Sequence, residues 1–462
     1  MKGSTHFVGI GGTGLSAIAR VLLERGEQVS GSDREESGLA QALRQAGALV
    51  HIGHAASHVN GAARVIRSSA VGEDNVEVQA ARAKGIPVLK RAEFLNELLA
   101  NQQVIAVAGS HGKTTTTAMI AWMLTALNER PGFIIGSVAQ NLGANAAAGA
   151  GRLFVIEADE YDYMFLGLAP KLALVTNVEH DHPDMFPTAE SFSQAFRDFV
   201  DRLQPEGILL ACSDDPGARD LLAYGKSQGK TIYNYSHSHK EADYLGTNLN
   251  PIAEKGFSFA ALRGGKPLAE VHLQVPGLHN VSNALGALAV ADLLGLPVSE
   301  AAMALSDFRG TARRFEIRGE AGGVLVVNDY AHHPTEIRST LAAARARYPG
   351  RRLWAVWQPH TFSRTQVLWS DFAAAFTAAD RVLVTGVYPA REETPAGFEM
   401  GILAETMKHP AAHYANSLDD AGDYLLSELK AGDVAIVMSA GDATDLSERV
   451  VNALNQKESP HA

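Results

Sequence analysis

The run from Val104 to Thr117, V-I-A-V-A-G-S-H-G-K-T-T-T-T, places a lysine and a row of hydroxyls directly after a glycine-bounded turn. The apolar residues predict a buried strand, Gly109, Ser110, His111 and Gly112 a tight turn, and Lys113 onward a helix reaching Leu127. Such a turn aims several backbone N–H groups and the positive end of a helix at one point, which suits a polyphosphate. Lys113 reaches the outer phosphates, and the hydroxyl of Thr114 or Thr115 can hold Mg²⁺ against them. Val107 stands where the general G-x-x-x-x-G-K-[ST] pattern has its first glycine. The spacing predicts a nucleoside-triphosphate site.

Two further clusters end predicted strands, Glu157-Ala158-Asp159-Glu160 and Asn177-Val178-Glu179-His180-Asp181-His182. Acids at the carboxyl ends of parallel strands face a nucleotide crevice. With oxygen donors dominant and no paired cysteines, such a site favours Mg²⁺ over structural zinc. Asp159 and Glu160 also suit helix caps, the lesser reading. The amides of Asn280 and Asn283, in G-L-H-N-V-S-N-A, match an adenine edge, although Asn280 also suits an N-cap. Arg313-Arg314-Phe315 follows, then two clusters at strand ends, Asn328 to Pro334 and Gln358 to Thr365.

Near the N-terminus, Gly9-Ile10-Gly11-Gly12-Thr13-Gly14 lies between a predicted strand and helix, with Asp33 at the end of the next strand. Alone, this reads as a dinucleotide fold and an NAD-dependent oxidoreductase. UDP carries the same pyrophosphate and ribose, however. A second phosphate loop a hundred residues later has no purpose in an oxidoreductase, so the context argues against that reading.

The elements that must position these residues form three α/β units, predicted at 1–100, 101–311 and 312–462. Strands alternating with helices imply mainly parallel, doubly wound sheets. Short alternating strands around Tyr233 to Val275 predict an antiparallel section. The 462 residues are 46% hydrophobic and 20% charged, with net charge −11, 17 histidines and one cysteine, Cys212. The charge argues against nucleic-acid and membrane-surface partners. The cysteine count excludes a disulfide framework and fits a reducing cytoplasm. Met1 to Ser4 leads straight into a strand, with no signal-peptide pattern and no apolar run of membrane length. Cys212 reads as a small apolar strand residue, and His237 and His239 as solvated loop residues.

A-G-S-H-G-K-T-T resembles the ATP loop of the Mur ligases, which join amino acids to the nucleotide-linked precursor of bacterial peptidoglycan. H-F-V-G-I-G-G-T-G-L-S with V-S-G-S-D, then H-I-G-H and S-S-A, are similar to the UDP-binding domain of the L-alanine-adding branch. The resemblance implies a Rossmann-like UDP-binding domain, a central P-loop-type ATPase domain and a C-terminal Rossmann-like domain. It implies a UDP-sugar held by Gly9, Gly11, Gly12, Thr13, Gly14, Asp33, His54, Ser68 and Ser69. ATP would be held by Gly109, Ser110, His111, Gly112, Lys113, Thr114, Thr115, Asn280, Asn283 and Arg314. Thr114 and Glu157 would bind one Mg²⁺ and His182 would approach a second. Lys113, Glu157, His182 and Arg314 would carry catalysis.

Q-P-H-T-F-S-R-T and Y-P-A-R-E-E are similar to that branch's segments around the incoming amino acid, implying roles for Tyr330, His332, His360 and Arg364. Thr361 stands where some members have a second arginine. Phe196 stands where other Mur ligases carry a carbamylated lysine. The implied reaction is amide formation between the lactyl carboxylate of UDP-N-acetylmuramate and L-alanine through an acyl phosphate, in a cytoplasmic monomer or homodimer. His182, His332 and His360 are candidate bases, unranked by sequence. A recycling ligase that attaches a whole tripeptide, and a non-enzymatic sensor of the same ligands, are the rival readings.

Overall fold

The computed structural model describes residues 3–458; Met1, Lys2 and the last four residues of the predicted third unit lie outside it. Three sheets follow one another along the chain. The first is wholly parallel, in spatial order Leu49–Ile52, Val29–Asp33, Ser4–Val8, Ala62–Arg67 and Val88–Lys90. The third runs Glu316–Ala321, Val324–Asp329, Asp433–Met438, Arg352–Trp357, Arg381–Val384 and Ala412–Tyr414, antiparallel only at its first pairing.

The central sheet has ten strands. Its parallel heart orders Tyr244–Pro251, Thr231–Ser236, Ile208–Cys212, Leu172–Val175, Gln103–Ala108, Leu153–Glu157 and Gly132–Ala139. Phe257–Arg263 and Lys266–Leu273 extend one edge antiparallel, and Ala144–Ala147 the other. The antiparallel section is therefore shorter than the sequence pattern suggests, because Thr231–Ser236 joins the parallel strands. Ala144–Ala147 was unreadable as a strand. Alanine has little strand preference, and the pairing with Gly132–Ala139 creates it.

Strand period explains the layers. In Gln103–Ala108, Val104, Ala106 and Ala108 face one apolar cluster and Ile105 and Val107 the other, all buried. One cluster continues without a break from the N-terminal core, through Phe94, Leu95 and Leu98, to Phe165, Phe192, Phe196 and Phe199. Phe165 and Phe199 stack at 4.8 Å. The C-terminal sheet has two clusters of its own.

Candidate active site

The phosphate loop is stitched to the end of the neighbouring strand. Ser110 N donates to Asn177 O (3.1 Å), His111 N to Asn177 Oδ1 (2.8 Å) and Thr176 Oγ1 to His111 O (2.6 Å). Gly109 has φ +134 and Gly112 φ +81. A Cβ on Gly109 would lie 2.0 Å from Thr176 Oγ1, and one on Gly112 2.9 Å from Asn283 Oδ1. Both positions thus need glycine for conformation and for space. The loop feeds the helix Lys113–Ala126, whose N-cap Gly112 has no side-chain cap, so its first N–H groups point outward.

Lys113 Nζ donates to Glu160 Oε2 (2.8 Å) and Oε1 (3.0 Å), and to the Gly109 carbonyl (2.6 Å). Burial pulls its pKa down, but the charge of Glu160 outweighs it and pushes the ammonium up to about 12. Glu160, fully buried, is thus the counter-charge of the phosphate-loop lysine rather than a helix cap. The same carboxylate lies 3.4 Å from His182 Nε2. Thr114 Oγ1 donates to Glu157 Oε1 at 2.9 Å, while Gly136 N holds the other oxygen at 2.6 Å. Burial raises the Glu157 pKa despite nearby Lys113. Thr114 and Glu157 come together as expected, and His182 joins them through Glu160 and Lys113. Phe196 is fully buried, edge-on to Phe165, so the helix Ala189–Asp201 offers packing at this position and no ligand.

Two chambers meet here. One of about 430 Å³ is lined by Cys212, Asp214, His237, Asn280, Asn283 and Glu179, among others. The second, about 500 Å³, takes Thr13 from the first domain, Lys113, Glu157 and His182 from the second, and Tyr330, His332, His360 and Arg364 from the third. Gly112, Arg314 and Glu336 line both. Arg314 Nη1 donates to Glu336 Oε1 at 3.2 Å, placing a guanidinium where a triphosphate would pass from one chamber to the next.

The first chamber corrects two sequence readings and agrees with a third. Gly277 is the N-cap of the helix Leu278–Leu293; Asn280 instead donates from Nδ2 to Pro276 O (2.7 Å) and accepts at Oδ1 from Asn283 (3.1 Å). His237 is no solvated loop residue: its Nδ1 lies 2.7 Å from Asp214 and 3.0 Å from Ser282 Oγ. Cys212 is buried as expected, and burial pushes its thiol up to about 12, which disqualifies it as a nucleophile.

At the far wall, Arg364 donates from Nη2 (2.8 Å) and Nε (3.0 Å) to one Asp181 oxygen, with both side chains buried. The guanidinium expected to face an amino acid is already engaged across the domain boundary. His360 Nδ1 is 3.1 Å from Arg364 Nη1. Burial holds His332 at about 3 and His360 at about 4, too weak to take a proton from an ammonium group; His182 is shifted upward, Asp181 and Glu160 outweighing its burial. Thr361, a β-branched residue, sits at φ 65, and His182, Arg313 and Phe315 also have positive φ. Such strain concentrates where side chains are forced into a site.

In the first domain, Asp33 Oδ2 accepts from Gly11 N at 2.8 Å, so this acid braces the glycine loop. Gly12 caps the helix Thr13–Glu24 without a side-chain bond. His54 sits in a network around the buried Glu77, which accepts from Ser32 Oγ (2.6 Å) and Ala55 N (3.1 Å) and contacts His58 Nδ1 (2.7 Å) and His6 Nε2 (3.2 Å). His54 Nδ1 is 3.1 Å from Ser32 Oγ. Ser68 Oγ accepts from Ala70 N, whereas Ser69 Oγ donates to Asp162 (2.7 Å) of the central domain. Arg91 reaches Asp159 at 3.1 Å. Glu77, Arg91 and Glu336 were missed by sequence; for Glu336 the spacing of four from His332 was the available signal.

Three parallel-sheet domains converging on a phosphate loop, with one arginine lining both chambers, define a multidomain nucleotide-dependent α/β enzyme. Family models match in the same order: Mur ligase family, catalytic domain, at 4–103; Mur ligase middle domain at 107–291; and Mur ligase, glutamate ligase domain, at 313–441. The chain belongs to the Mur ligase family. It is 43% identical to the UDP-N-acetylmuramate–L-alanine ligase of Roseiflexus sp. (strain RS-1), over 98% of this chain and 99% of that one. Identity to the ligase of the same name from Thermobifida fusca is 42%, covering 98% and 97%. The crystal structure of the Thermotoga maritima UDP-N-acetylmuramate–alanine ligase superposes with a TM-score of 0.83 at 28% identity, over 98% and 100% of the two chains. A murein peptide ligase from Psychrobacter arcticus gives 0.72 at 29%, over 98% and 99%.

Proposed function

We propose that this protein forms the amide bond between the lactyl carboxylate of UDP-N-acetylmuramate and L-alanine, using ATP. The observation that carries the reading is the junction at Gly112, Arg314 and Glu336, where a nucleotide chamber opens into a chamber lined by all three domains. The likeness of whole-length relatives bearing that activity's name supports it.

The carboxylate oxygen attacks the γ-phosphorus, the β–γ bridging P–O bond breaks, and an acyl phosphate and ADP result. The amine of L-alanine then attacks the acyl carbon, and phosphate leaves. Lys113 and Arg314 bring positive charge to the transferring group, and the phosphate-loop amides orient it. Thr114 Oγ1 and Glu157 Oε1, 2.9 Å apart, are the oxygen pair that fits Mg²⁺. When bound, the ion neutralises charge on the β- and γ-oxygens. His182 is the base whose basicity suits the ammonium proton. Thr13 and its glycine loop serve the UDP-sugar, and Tyr330, His332, His360 and Arg364 the amino acid. His54 supports the sugar-nucleotide site through Ser32. The divisions fall near residues 100 and 311, and the protein works in the cytoplasm as a monomer or homodimer. Among the described residues no helix is long and apolar enough to cross a membrane.

Phosphate release with ATP, Mg²⁺ and UDP-N-acetylmuramate tests the proposal, comparing L-alanine with the L-Ala-γ-D-Glu-diaminopimelate tripeptide. Release with alanine, abolished by chelating the metal, is expected. Release only with the tripeptide would reassign the amine pocket.

A further inference from the structure

His111, Glu179 and His333 each offer a ligand atom, and these atoms lie within 4.8 Å of one another. His111 Nε2 is 3.1 Å from Glu179 Oε2, and the two imidazole rings are 4.7 Å apart. Among the described residues this is the one group of three such side chains so placed. Its members come from two domains: the phosphate loop and a central strand end on one side, the D-Y-A-H-H-P segment on the other.

A second observation points at a ligand. Nε2 of His333 is a buried nitrogen with no hydrogen-bond partner, on a side chain only 3% exposed. An orphaned buried polar atom is destabilising unless something satisfies it. The surroundings also have the second layer that metal-bound histidines carry. His111 Nδ1 is 3.4 Å from Glu336 Oε1, a carboxylate–imidazole arrangement that frees Nε2 for a metal. Thr335 Oγ1 donates to the other Glu179 oxygen at 2.8 Å, fixing that carboxylate.

We propose that His111, Glu179 and His333 bind a borderline divalent cation of the Zn²⁺ type, clamping the C-terminal domain to the phosphate loop. Two imidazoles and a carboxylate with an open fourth position form a recurrent Zn²⁺ donor set. A tetrahedral ion with bonds of about 2.0–2.1 Å needs its ligand atoms about 3.3 Å apart. The His111–Glu179 pair already meets that, and His333 must move inward. Ligation through Nε2 puts the His333 proton on Nδ1, giving up only a weak 3.4 Å contact with the Thr335 amide. His111 releases its proton as the ion enters. Because His111 and Glu179 also line the nucleotide chamber, an ion held there would restrain the loop that ATP must enter.

The test is titration of the full-length protein, free of Mg²⁺ and nucleotide, with Co²⁺, followed by displacement with Zn²⁺. The expected result is one equivalent of Co²⁺ with the intense visible absorption of a four-coordinate site, bleached by Zn²⁺. Affinity should fall tenfold or more in His333→Gln and in Glu179→Gln, each checked for native circular dichroism. Glu157→Gln, which removes the other metal candidate, should leave the signal intact. Absence of stoichiometric binding overturns the proposal. So does wild-type affinity in whichever of the two site variants folds, or loss of the signal in Glu157→Gln.

Discussion

Arg364 and Asp181 meet across the boundary between the C-terminal and central domains, with two guanidinium nitrogens 2.8 and 3.0 Å from one carboxylate oxygen. Both side chains are buried. Breaking such a pair from one side leaves an uncompensated charge, at about 3–5 kcal/mol. Arg364→Ala should therefore raise the apparent KM for L-alanine and also lower the thermal midpoint. Adding Asp181→Asn should recover much of the stability but not the amino-acid use. A KM unchanged in the single variant would remove Arg364 from the amine pocket.

Lys113 and Glu160 give the same test for the phosphate end. Lys113→Ala should abolish phosphate release while UDP-sugar binding, measured calorimetrically, stays largely intact. It also strands the buried Glu160, so the double variant with Glu160→Gln should melt higher than Lys113→Ala alone and remain inactive. Wild-type turnover by either variant would refute the phosphate role.

His111 sets a pH dependence. Burial pulls its pKa down, but Glu179 and Glu336 outweigh it and hold the imidazolium at about 9, above the ordinary 6.5. The folded state thus binds the proton more tightly than the unfolded chain. The stability this contributes is complete below about pH 6.5 and is lost as pH rises through 9. Thermal midpoints from pH 6 to 10 should fall more steeply for the native protein than for His111→Gln. Parallel curves would show that the contact adds no stability.

Glu77 shifts in the opposite sense. Burial pushes its pKa up, but bonds from His6, Ser32 and His58 overcome it and hold the carboxyl at about 2. Its stabilisation is present above about pH 4.5 and is lost as pH falls through 2. Glu77→Ala should cost about 3 kcal/mol at pH 7 by urea unfolding, because two histidines, a hydroxyl and a backbone amide lose their acceptor. It should also weaken UDP-sugar binding through the Ser32–His54 contact. Full affinity in a folded variant would make the network purely structural.

What the sequence made legible was whatever depends on near neighbours. The Gly109 to Thr115 loop, the strand before it and the helix after it are local, and each was readable. So was Glu157 beside Thr114, because both motifs end adjacent parallel strands. Glu77 was unreadable, since its partners His6 and His58 lie 71 and 19 residues away. Asp33 fitted the spacing of a ribose acid, yet it braces Gly11, because spacing places a carboxylate without choosing its donor. Arg364 matched a motif, but its Asp181 partner is 183 residues distant. Long-range charge pairing carries no local pattern for a reader to find.

The apolar cluster that runs unbroken from the first domain into the central sheet has a mechanical consequence. Those two domains are joined by a greasy seam, whereas polar contacts mark the third domain's approach to the phosphate loop: Arg364 to Asp181, Thr335 to Glu179, His111 to Glu336. A seam of hydrocarbon resists salt, and a latch of charges yields to it. The C-terminal domain is therefore the body that salt should loosen. Ionic strength should set how readily it lets product go while leaving the other two domains locked as one body.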